Sequence, residues 1–249
     1  MARSGHPVDA WGRTMSAQVV TSVGGSVATI TINRSASPSD LDGAARAQLM
    51  LSLAAVAVDR TVLAVVLRGD GDDFCRGRDL DEYAARMAAD LVMGSRELEA
   101  QTAQVVHALA AVPQPVIAAV RGRCAGEGLA LALACDLRVM ADDASLNVAT
   151  CSMGERPDQR LREALERVVG VERGRELALS GRDFTAREAV EWGIVADVVP
   201  SAQVTDLALG QAAMLTRLPI GDLVGAKVKL AGAATRELER AMGAGSSNR

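Results

Sequence analysis

Several kinds of catalytic side chain are scarce in this chain of 249 residues. It has two histidines (His6 and His107), one tyrosine (Tyr83) and two lysines (Lys227 and Lys229), and aromatic residues make up 2% of it. Proton transfer in enzymes mostly uses His, carboxylate, Lys, Tyr or Cys groups. Any such chemistry must therefore rely on carboxylates, on backbone N–H groups or on those few residues. We expect no metal site, because zinc sites are built mainly from His and Cys.

Clustered positive charge is also lacking, since the net charge is −4 and the pI is near 5.3. This argues against a nucleic-acid partner. The four cysteines (Cys75, Cys124, Cys135 and Cys151) form no CxxC pair, which is typical of reduced thiols in a cytoplasmic protein. The longest apolar stretch, GLALALAC at residues 128–135, is too short to span a bilayer. Residues 1–15 lack the apolar core of a signal peptide, so we interpret them as a flexible N-terminal extension.

Strand and helix patterns alternate along the rest of the chain and predict an α/β fold. Residues 17–32 alternate around Gly24-Gly25 and predict a hairpin, whereas VLAVVL (62–67) and PVIAAV (115–120) are typical of strands buried on both faces. Helical spacing is found over residues 41–58 and over residues 80–111, with an expected break near Gly94. Further helices are expected at 159–169, 174–180 and 185–192, and mostly helical structure from residue 202 onward.

Two glycine-containing segments follow the two buried strands. They are FCRGRDL (74–80) and GRCAGEGL (122–129). Where a strand end leads into a helix, free backbone N–H groups gather, and glycine lets a ligand approach the main chain. Two such loops can form an oxyanion hole, although each alone is equally consistent with a tight turn between strand and helix.

Four segments taken together resemble the enoyl-CoA hydratase/isomerase family, the crotonase superfamily. They are ATITINR near the start, FCRGRDL, PVIAAVRGRCAGEGLALALACDLRV and LSGRDFTAREAVEWGIVADVV, in the order and spacing of the family. The resemblance covers residues 27–229. It implies a crotonase (ClpP-like) spiral of ββα repeats over residues 16–200, followed by a C-terminal helical trimerisation region over residues 201–249. By the same analogy the protein would be a homotrimer or hexamer, with residues 204–218 at the subunit contact.

The resemblance also implies an acyl-CoA thioester as substrate, with no separate cofactor beyond coenzyme A itself. The backbone amides of Arg78 and Glu127 would polarise the thioester carbonyl and stabilise an enolate. The residues that would lie near coenzyme A or the substrate are Arg34, Arg76, Asp79, Leu80, Gly126 and Lys227. Considered without the family, Asp79 is more often a helix-capping acid, and Lys227 is better interpreted as an ordinary surface lysine.

Two departures from the family pattern affect the chemistry. The positions of the two hydratase glutamates are occupied by Ala130 and, in our alignment, Thr150, and neither residue can act as a general acid or base near neutral pH. Glu127 replaces a glycine, and its carboxylate would repel an enolate unless it turns away or is protonated by burial. We therefore consider two roles for Glu127: acid or base, or partner in a salt bridge to Arg78 or Arg123.

The remaining candidates for proton transfer are acids and one tyrosine in segments that border the family's acyl pocket. They are Asp79, Tyr83, Glu155 and Asp158, with Cys151 beside the position of the second glutamate. Two functions stay open. The protein is either a divergent CoA-thioester lyase or isomerase for which standard hydration is disfavoured, or a non-catalytic acyl-CoA-binding or accessory subunit of a biosynthetic pathway.

Overall fold

One six-stranded sheet forms the centre of the molecule, in a computed structural model that describes residues 18–33, 40–148 and 159–230. Its strands, in spatial order, are β1 (Val19–Gly24), β2 (Val27–Ile32), β4 (Ala64–Gly69), β6 (Val116–Val120), β8 (Leu137–Ala141) and β11 (Val198–Val199). The hairpin of β1 and β2 is antiparallel, as predicted, and turns at Gly25 with φ of 60°. The other neighbouring strands are parallel. Their carboxyl ends therefore share one edge of the sheet.

Short strands form a second layer beyond that edge. They are β3 (Asp40–Leu41), β5 (Gly77–Arg78), β7 (Arg123–Ala125), β9 (Ser145–Asn147) and β10 (Phe184–Thr185). β3 pairs with β5, and β7, β9 and β10 form a sheet of their own. A backbone β-bridge between Cys75 and Cys124, whose thiols are both free, links the two groups of strands. Each turn of the chain thus runs from a long strand to a short strand and then to helix, which is the ββα spiral expected for the crotonase fold.

Helices follow the short strands. They are α1 (Gly43–Val58), α2 (Leu80–Ala89), α3 (Leu91–Ala111), α4 (Glu127–Ala134), α5 (Gln159–Val169), α6 (Val171–Ser180), α7 (Ala186–Glu191) and α8 (Val204–Leu215). Residues 220–230 are also helical. Contacts run from α1 to α3, from α3 to α4 and from α4 to α5, so these four helices form a row. No helix in the described ranges is both long and apolar enough to cross a membrane.

The C-terminal region packs against the core of its own chain. α8 contacts β4, β6 and β8 through the buried residues Val204, Ala208 and Ala212. Leu207 and Met214 of the same helix stay exposed. These residues remain available for subunit contacts, and the trimer stays a prediction.

The long helical segment breaks at a different residue from the one that we predicted. α2 ends at Ala89 and α3 begins at Leu91, so the break lies at Asp90 and not near Gly94. The Asp90 carboxylate accepts hydrogen bonds from the Val92 and Met93 amides, at 3.0 and 2.9 Å, and so caps α3. Gly94 instead permits close packing, because a Cβ there would lie 2.7 Å from the carbonyl oxygen of Arg86.

The loops after β4 and β6 interlock. The Ala125 amide donates to the Cys75 carbonyl at 2.9 Å, and the amides of Phe74 and Cys75 both donate to the Arg123 carbonyl at 3.2 Å. Gly128 lies so close that an added Cβ would be 2.2 Å from the Cys75 carbonyl oxygen. This contact fixes α4 against the loop that leads into β5.

We predict that Gly128→Ala destabilises the protein by roughly 1–3 kcal/mol or more, because its methyl group collides with backbone rather than with a movable side chain. Gly210→Ala is the matched control, since Gly210 is exposed within α8 and an added Cβ meets nothing within 4 Å. That change should stabilise by about 0.5–1 kcal/mol. Urea denaturation measures both, and equal stability of the two variants would contradict the interlocking described above.

Candidate active site

Arg78 follows Gly77 in β5, at a position where the backbone requires a glycine. Gly77 has φ of 107°, and a Cβ there would lie 3.0 Å from the Ala125 carbonyl oxygen. The Asp79 amide donates to the Leu41 carbonyl at 3.1 Å, on the side of β3. Because successive amides of an extended strand point to opposite sides, the Arg78 N–H faces away from β3.

Glu127 is the first residue of α4 and follows Gly126, which has φ of 50° and ψ of −117°. The first amides of a helix have no acceptor within that helix, and the helix dipole gives this end a partial positive charge. The turn at Gly126 is held against β9, because the Gly126 amide donates to the Asn147 carbonyl at 3.0 Å. The Asn147 side chain donates to the Gly181 carbonyl and to the Asp183 carboxylate, at 2.9 and 2.6 Å.

The backbone segments of Arg78 and Glu127 meet at Gly77. A Cβ on Gly77 would lie 3.6 Å from the Glu127 amide nitrogen. The fold therefore brings together the two residues whose amides the sequence singled out. Such a pair of donors beside a helix N-terminus can stabilise a developing negative charge on oxygen.

The Glu127 side chain turns into the interior and pairs with Arg46 of α1. Arg46 Nε lies 3.0 and 3.1 Å from the two carboxylate oxygens, and Arg46 Nη2 lies 2.9 Å from Oε2. The side chains of Arg46 and Glu127 are 4% and 1% exposed. The salt bridge expected for Glu127 thus exists, but its partner is Arg46 and not Arg78 or Arg123.

The two arginines that the sequence proposed as partners are engaged elsewhere. Arg123 pairs with Asp183 at 3.0 Å, and its hydrogen bond lowers the pKa of that carboxyl group. The Arg78 guanidinium lies 5.7 Å from the centre of the Tyr83 ring.

The buried pair extends into a chain of charges that reaches α2 and α3. Arg46 Nη1 donates to Glu82 at 2.9 Å, Glu82 also accepts from Arg86, and Arg86 pairs with Glu97 at 3.1 Å. Burial alone lowers the pKa of Arg46, but the hydrogen bonds and charges of Glu127 and Glu82 outweigh it and hold that pKa above its usual value. The guanidinium is therefore fully charged and lies between two carboxylates.

Arg46 was not among the predicted site residues, although the sequence contains a signal for it. Arg46 occupies the same stripe of α1 as the buried residues Leu49, Leu53 and Val56, at helical spacing. An arginine within an apolar stripe implies a buried acid nearby, since a buried charge is retained only when it is paired.

Ala130 lies one turn after Glu127 on α4 and borders a groove of about 480 Å³ between α3, α4 and α5. Alanines and other apolar residues form much of the groove, namely Ala103, Val106, Ala110, Leu133, Ala134, Leu161 and Ala164. His107, Glu163 and Arg167 add polar groups to its lining and are exposed. Ala130, which we expect to replace a hydratase glutamate, therefore presents only a methyl group to this groove.

The residues expected near coenzyme A divide into two places. Arg76 and Leu80 are exposed beside Arg78, and Asp79 caps α2 by accepting from the Glu82 amide at 2.9 Å. Lys227 lies at the opposite edge of the sheet, where its Nζ is 2.7 Å from Asp136 and 3.1 Å from the Gln114 carbonyl. Gln114 and Asp136 precede β6 and β8, whereas Arg78 and Glu127 follow the carboxyl ends of strands. Within one chain Lys227 is thus separated from the two amides by the length of the sheet.

Five further candidates lie outside the described residues, as does the extension 1–15. They are Arg34, Thr150, Cys151, Glu155 and Asp158. Burial raises the pKa of Cys135 to about 12 and also raises the pKa values of Cys75 and Cys124, so these thiols are unsuited to nucleophilic attack. Within the described ranges, no group of three or more His, Cys, Asp or Glu could hold a metal ion.

Comparison with known proteins agrees with the fold. The sequence model of the enoyl-CoA hydratase/isomerase family matches residues 22–248. The chain belongs to this family. A crystal structure of enoyl-CoA hydratase from Bacillus anthracis superposes with a TM-score of 0.81 and 28% identity, covering 88% of this chain and 84% of that one.

Curated relatives within the enoyl-CoA hydratase/isomerase family carry different activities in their names. The 4-chlorobenzoyl coenzyme A dehalogenase-2 of an Arthrobacter species is 38% identical over 180 residues, which are 71% of this chain and 64% of the relative. The 1,2-epoxyphenylacetyl-CoA isomerase of Escherichia coli (strain K12) is 35% identical over 196 residues, which are 78% of this chain and 74% of the relative. The match to the dehalogenase thus spans less than two thirds of that protein's length, and family membership alone does not identify a reaction.

We predict that Arg46→Met destabilises the protein by roughly 3–5 kcal/mol, because it leaves the buried Glu127 carboxylate without its counter-charge. The double variant Arg46→Met/Glu127→Gln should recover part of that loss, since the unpaired charge is then removed. Urea denaturation of the single and double variants measures the difference. If the double variant is no more stable than Arg46→Met, the Glu127 charge is not what makes Arg46 necessary.

Proposed function

We propose that this protein binds an acyl-CoA thioester whose carbonyl oxygen accepts hydrogen bonds from the Arg78 and Glu127 amides. The main support for the proposal is the closeness of Gly77 to the Glu127 amide nitrogen, since a Cβ added to Gly77 would lie 3.6 Å from it. Because Gly77 directly precedes Arg78, this closeness brings the segments of the two donors together. The N-terminal end of α4 adds its dipole to the same point. Together these groups would withdraw electrons from the thioester carbonyl and stabilise an enolate.

The acyl group would occupy the groove beside Ala130. The groove starts one turn along α4 from Glu127, and its lining is mostly alanine, valine and leucine. Such a surface favours an apolar acyl chain, since polar groups buried against it would lose hydrogen bonds to water.

Coenzyme A would extend outward from the two amides, across the exposed surface of Arg76 and Leu80. The Arg76 guanidinium is suited to phosphate, because it offers several donors and a permanent charge. Gly126 permits close approach of the thioester to the backbone at the start of α4. We leave Lys227 out of this set, since it pairs with Asp136 at the other edge of the sheet.

The reaction would be one that depends on carbonyl polarisation and not on a carboxylic acid at position 130. A general acid or base typically contributes about 10²-fold to 10⁴-fold, so its absence makes standard hydration slow. A lyase or isomerase reaction of a CoA thioester fits these constraints, and relatives named as an isomerase and a dehalogenase indicate that the family supports such variety.

Two observations favour a second candidate function, a non-catalytic acyl-CoA-binding or accessory subunit. Ala130 provides no proton-transfer group, and both carboxylate oxygens of Glu127 accept hydrogen bonds from Arg46. A protein of this kind would retain the binding geometry and polarise a carbonyl without converting the ligand.

The first test is a comparison of butanoyl-CoA with S-butyl-CoA, a thioether of the same length that lacks the carbonyl oxygen. We expect the thioether to bind roughly 10-fold to 100-fold more weakly, because two hydrogen bonds of about 1 kcal/mol each are lost. Isothermal titration calorimetry measures both affinities.

Equal affinities would contradict carbonyl binding by the two amides, and no binding of either ligand would contradict both candidate functions. A turnover screen with saturated and α,β-unsaturated acyl-CoA thioesters then separates the candidates. Tight binding without any product formation would favour the non-catalytic protein over the lyase or isomerase.

A further inference from the structure

Two buried charges lie directly behind the candidate oxyanion site. Among the described residues, the buried polar or charged side chains are Arg46, Thr102, Gln114, Glu127 and Asn147. Arg46 and Glu127 are the charged members of this set, and they contact each other. A buried ion pair is seldom a net source of stability when compared with apolar residues of the same size, so its position invites a functional explanation.

The position of Glu127 creates an electrostatic difficulty for the function proposed above. Its main-chain N–H would donate to the thioester oxygen, while its own side chain carries a negative charge only a few bonds away. An uncompensated carboxylate at that distance would oppose the build-up of negative charge on the oxygen. Some other group must therefore keep the carboxylate away from the thioester oxygen and balance its charge.

Arg46 satisfies both requirements. Its Nε and Nη2 atoms contact the carboxylate at 2.9 to 3.1 Å, which fixes the carboxylate in the interior on the side of α1. A guanidinium suits this task better than a small cation, because its planar group makes several directed hydrogen bonds at once. The remaining Nη1 atom donates to Glu82, which is in turn paired with Arg86, so the guanidinium is itself held from the opposite side.

We infer that Arg46 is a positioning residue of the active site: it draws the Glu127 carboxylate away from the ligand and neutralises it, so that the Glu127 amide can polarise the thioester carbonyl. This inference rests on the proposed function and adds a role for a buried residue of α1, outside the two segments that carry the amides. It also argues against the Glu127 side chain as the acid or base, because both of its oxygens accept hydrogen bonds from Arg46 and the side chain is 1% exposed.

The test compares the affinity ratio of butanoyl-CoA to S-butyl-CoA across a set of variants, since this ratio reports on the carbonyl contact and not on general folding. We expect a ratio of roughly 10 to 100 for the unmodified protein and a ratio that falls at least 10-fold, about 1.4 kcal/mol, in Arg46→Met. Arg46→Lys retains the positive charge and should keep the ratio within 3-fold of the unmodified protein. In Arg46→Met/Glu127→Gln the ratio should recover to a similar value, because no charge is left to repel the carbonyl oxygen.

Arg175→Met is the matched control, because Arg175 forms an exposed pair with Glu172 on α6. It should leave the ratio unchanged. Circular dichroism confirms that each variant is folded at the temperature used. If Arg46→Met does not fold, the double variant Arg46→Met/Glu127→Gln, which has no unpaired buried charge, decides the test, because loss of the ratio there would overturn the inference.

The outcomes separate the two claims. If the unmodified protein binds both ligands equally well, the proposed function fails before Arg46 is considered. If the unmodified protein shows the expected ratio but Arg46→Met keeps it, or if the double variant does not regain it, then Arg46 serves stability alone and the inference is overturned.

Discussion

The Arg46 guanidinium is the point at which helices from three successive turns of the chain are tied together. It reaches from α1 to Glu127 on α4 and to Glu82 on α2, and Glu82 is linked through Arg86 to Glu97 on α3. α2 buries none of its residues completely, and the ion pairs of Glu82 and Arg86 add to its packing against α3. The candidate site thus depends on a charge in the interior rather than on apolar packing alone.

The backbone of the site depends on a different constraint, which is the close approach of two loops. Strands β4 and β6 end at the same edge, and the loops that follow them can interlock only because Gly128 and Gly77 have no side chain. The same approach brings the amide segments of Arg78 and Glu127 together. Placing a glutamate at the start of α4 would then put a carboxylate beside those amides, and the Arg46 pair resolves that conflict. Backbone shape and buried charge are therefore two parts of one arrangement.

Much of the fold was predictable because each signal was local. Continuous apolar runs rich in β-branched residues identified β4 and β6, and the pair Gly24-Gly25 identified the β1–β2 hairpin. The break between α2 and α3 was predicted near Gly94, because glycine weakens a helix, but it lies at Asp90. In the structure the Asp90 carboxylate caps α3, and Gly94 serves close packing within it.

The site was less predictable, because its decisive contacts join residues far apart in sequence. Arg46 and Glu127 are 81 residues apart, and no local pattern pairs them. Likewise, the family resemblance implies that Lys227 lies near coenzyme A. In the structure Lys227 instead pairs with Asp136, at the edge of the sheet where the parallel strand β8 begins. The sequence could name the two amides through the family resemblance, but it could not say which cation would balance Glu127.

The central claim is that this arrangement polarises a thioester carbonyl, and infrared difference spectroscopy tests it most directly. The measurement uses butanoyl-CoA labelled with ¹³C at the carbonyl carbon, with the unlabelled ligand as reference. Hydrogen bonds from two amides weaken the C=O bond, so we expect the carbonyl stretching band of the bound ligand to lie at lower frequency than that of the free thioester in water. A bound thioester whose band stays at the frequency found in water, or moves to higher frequency, would contradict the account.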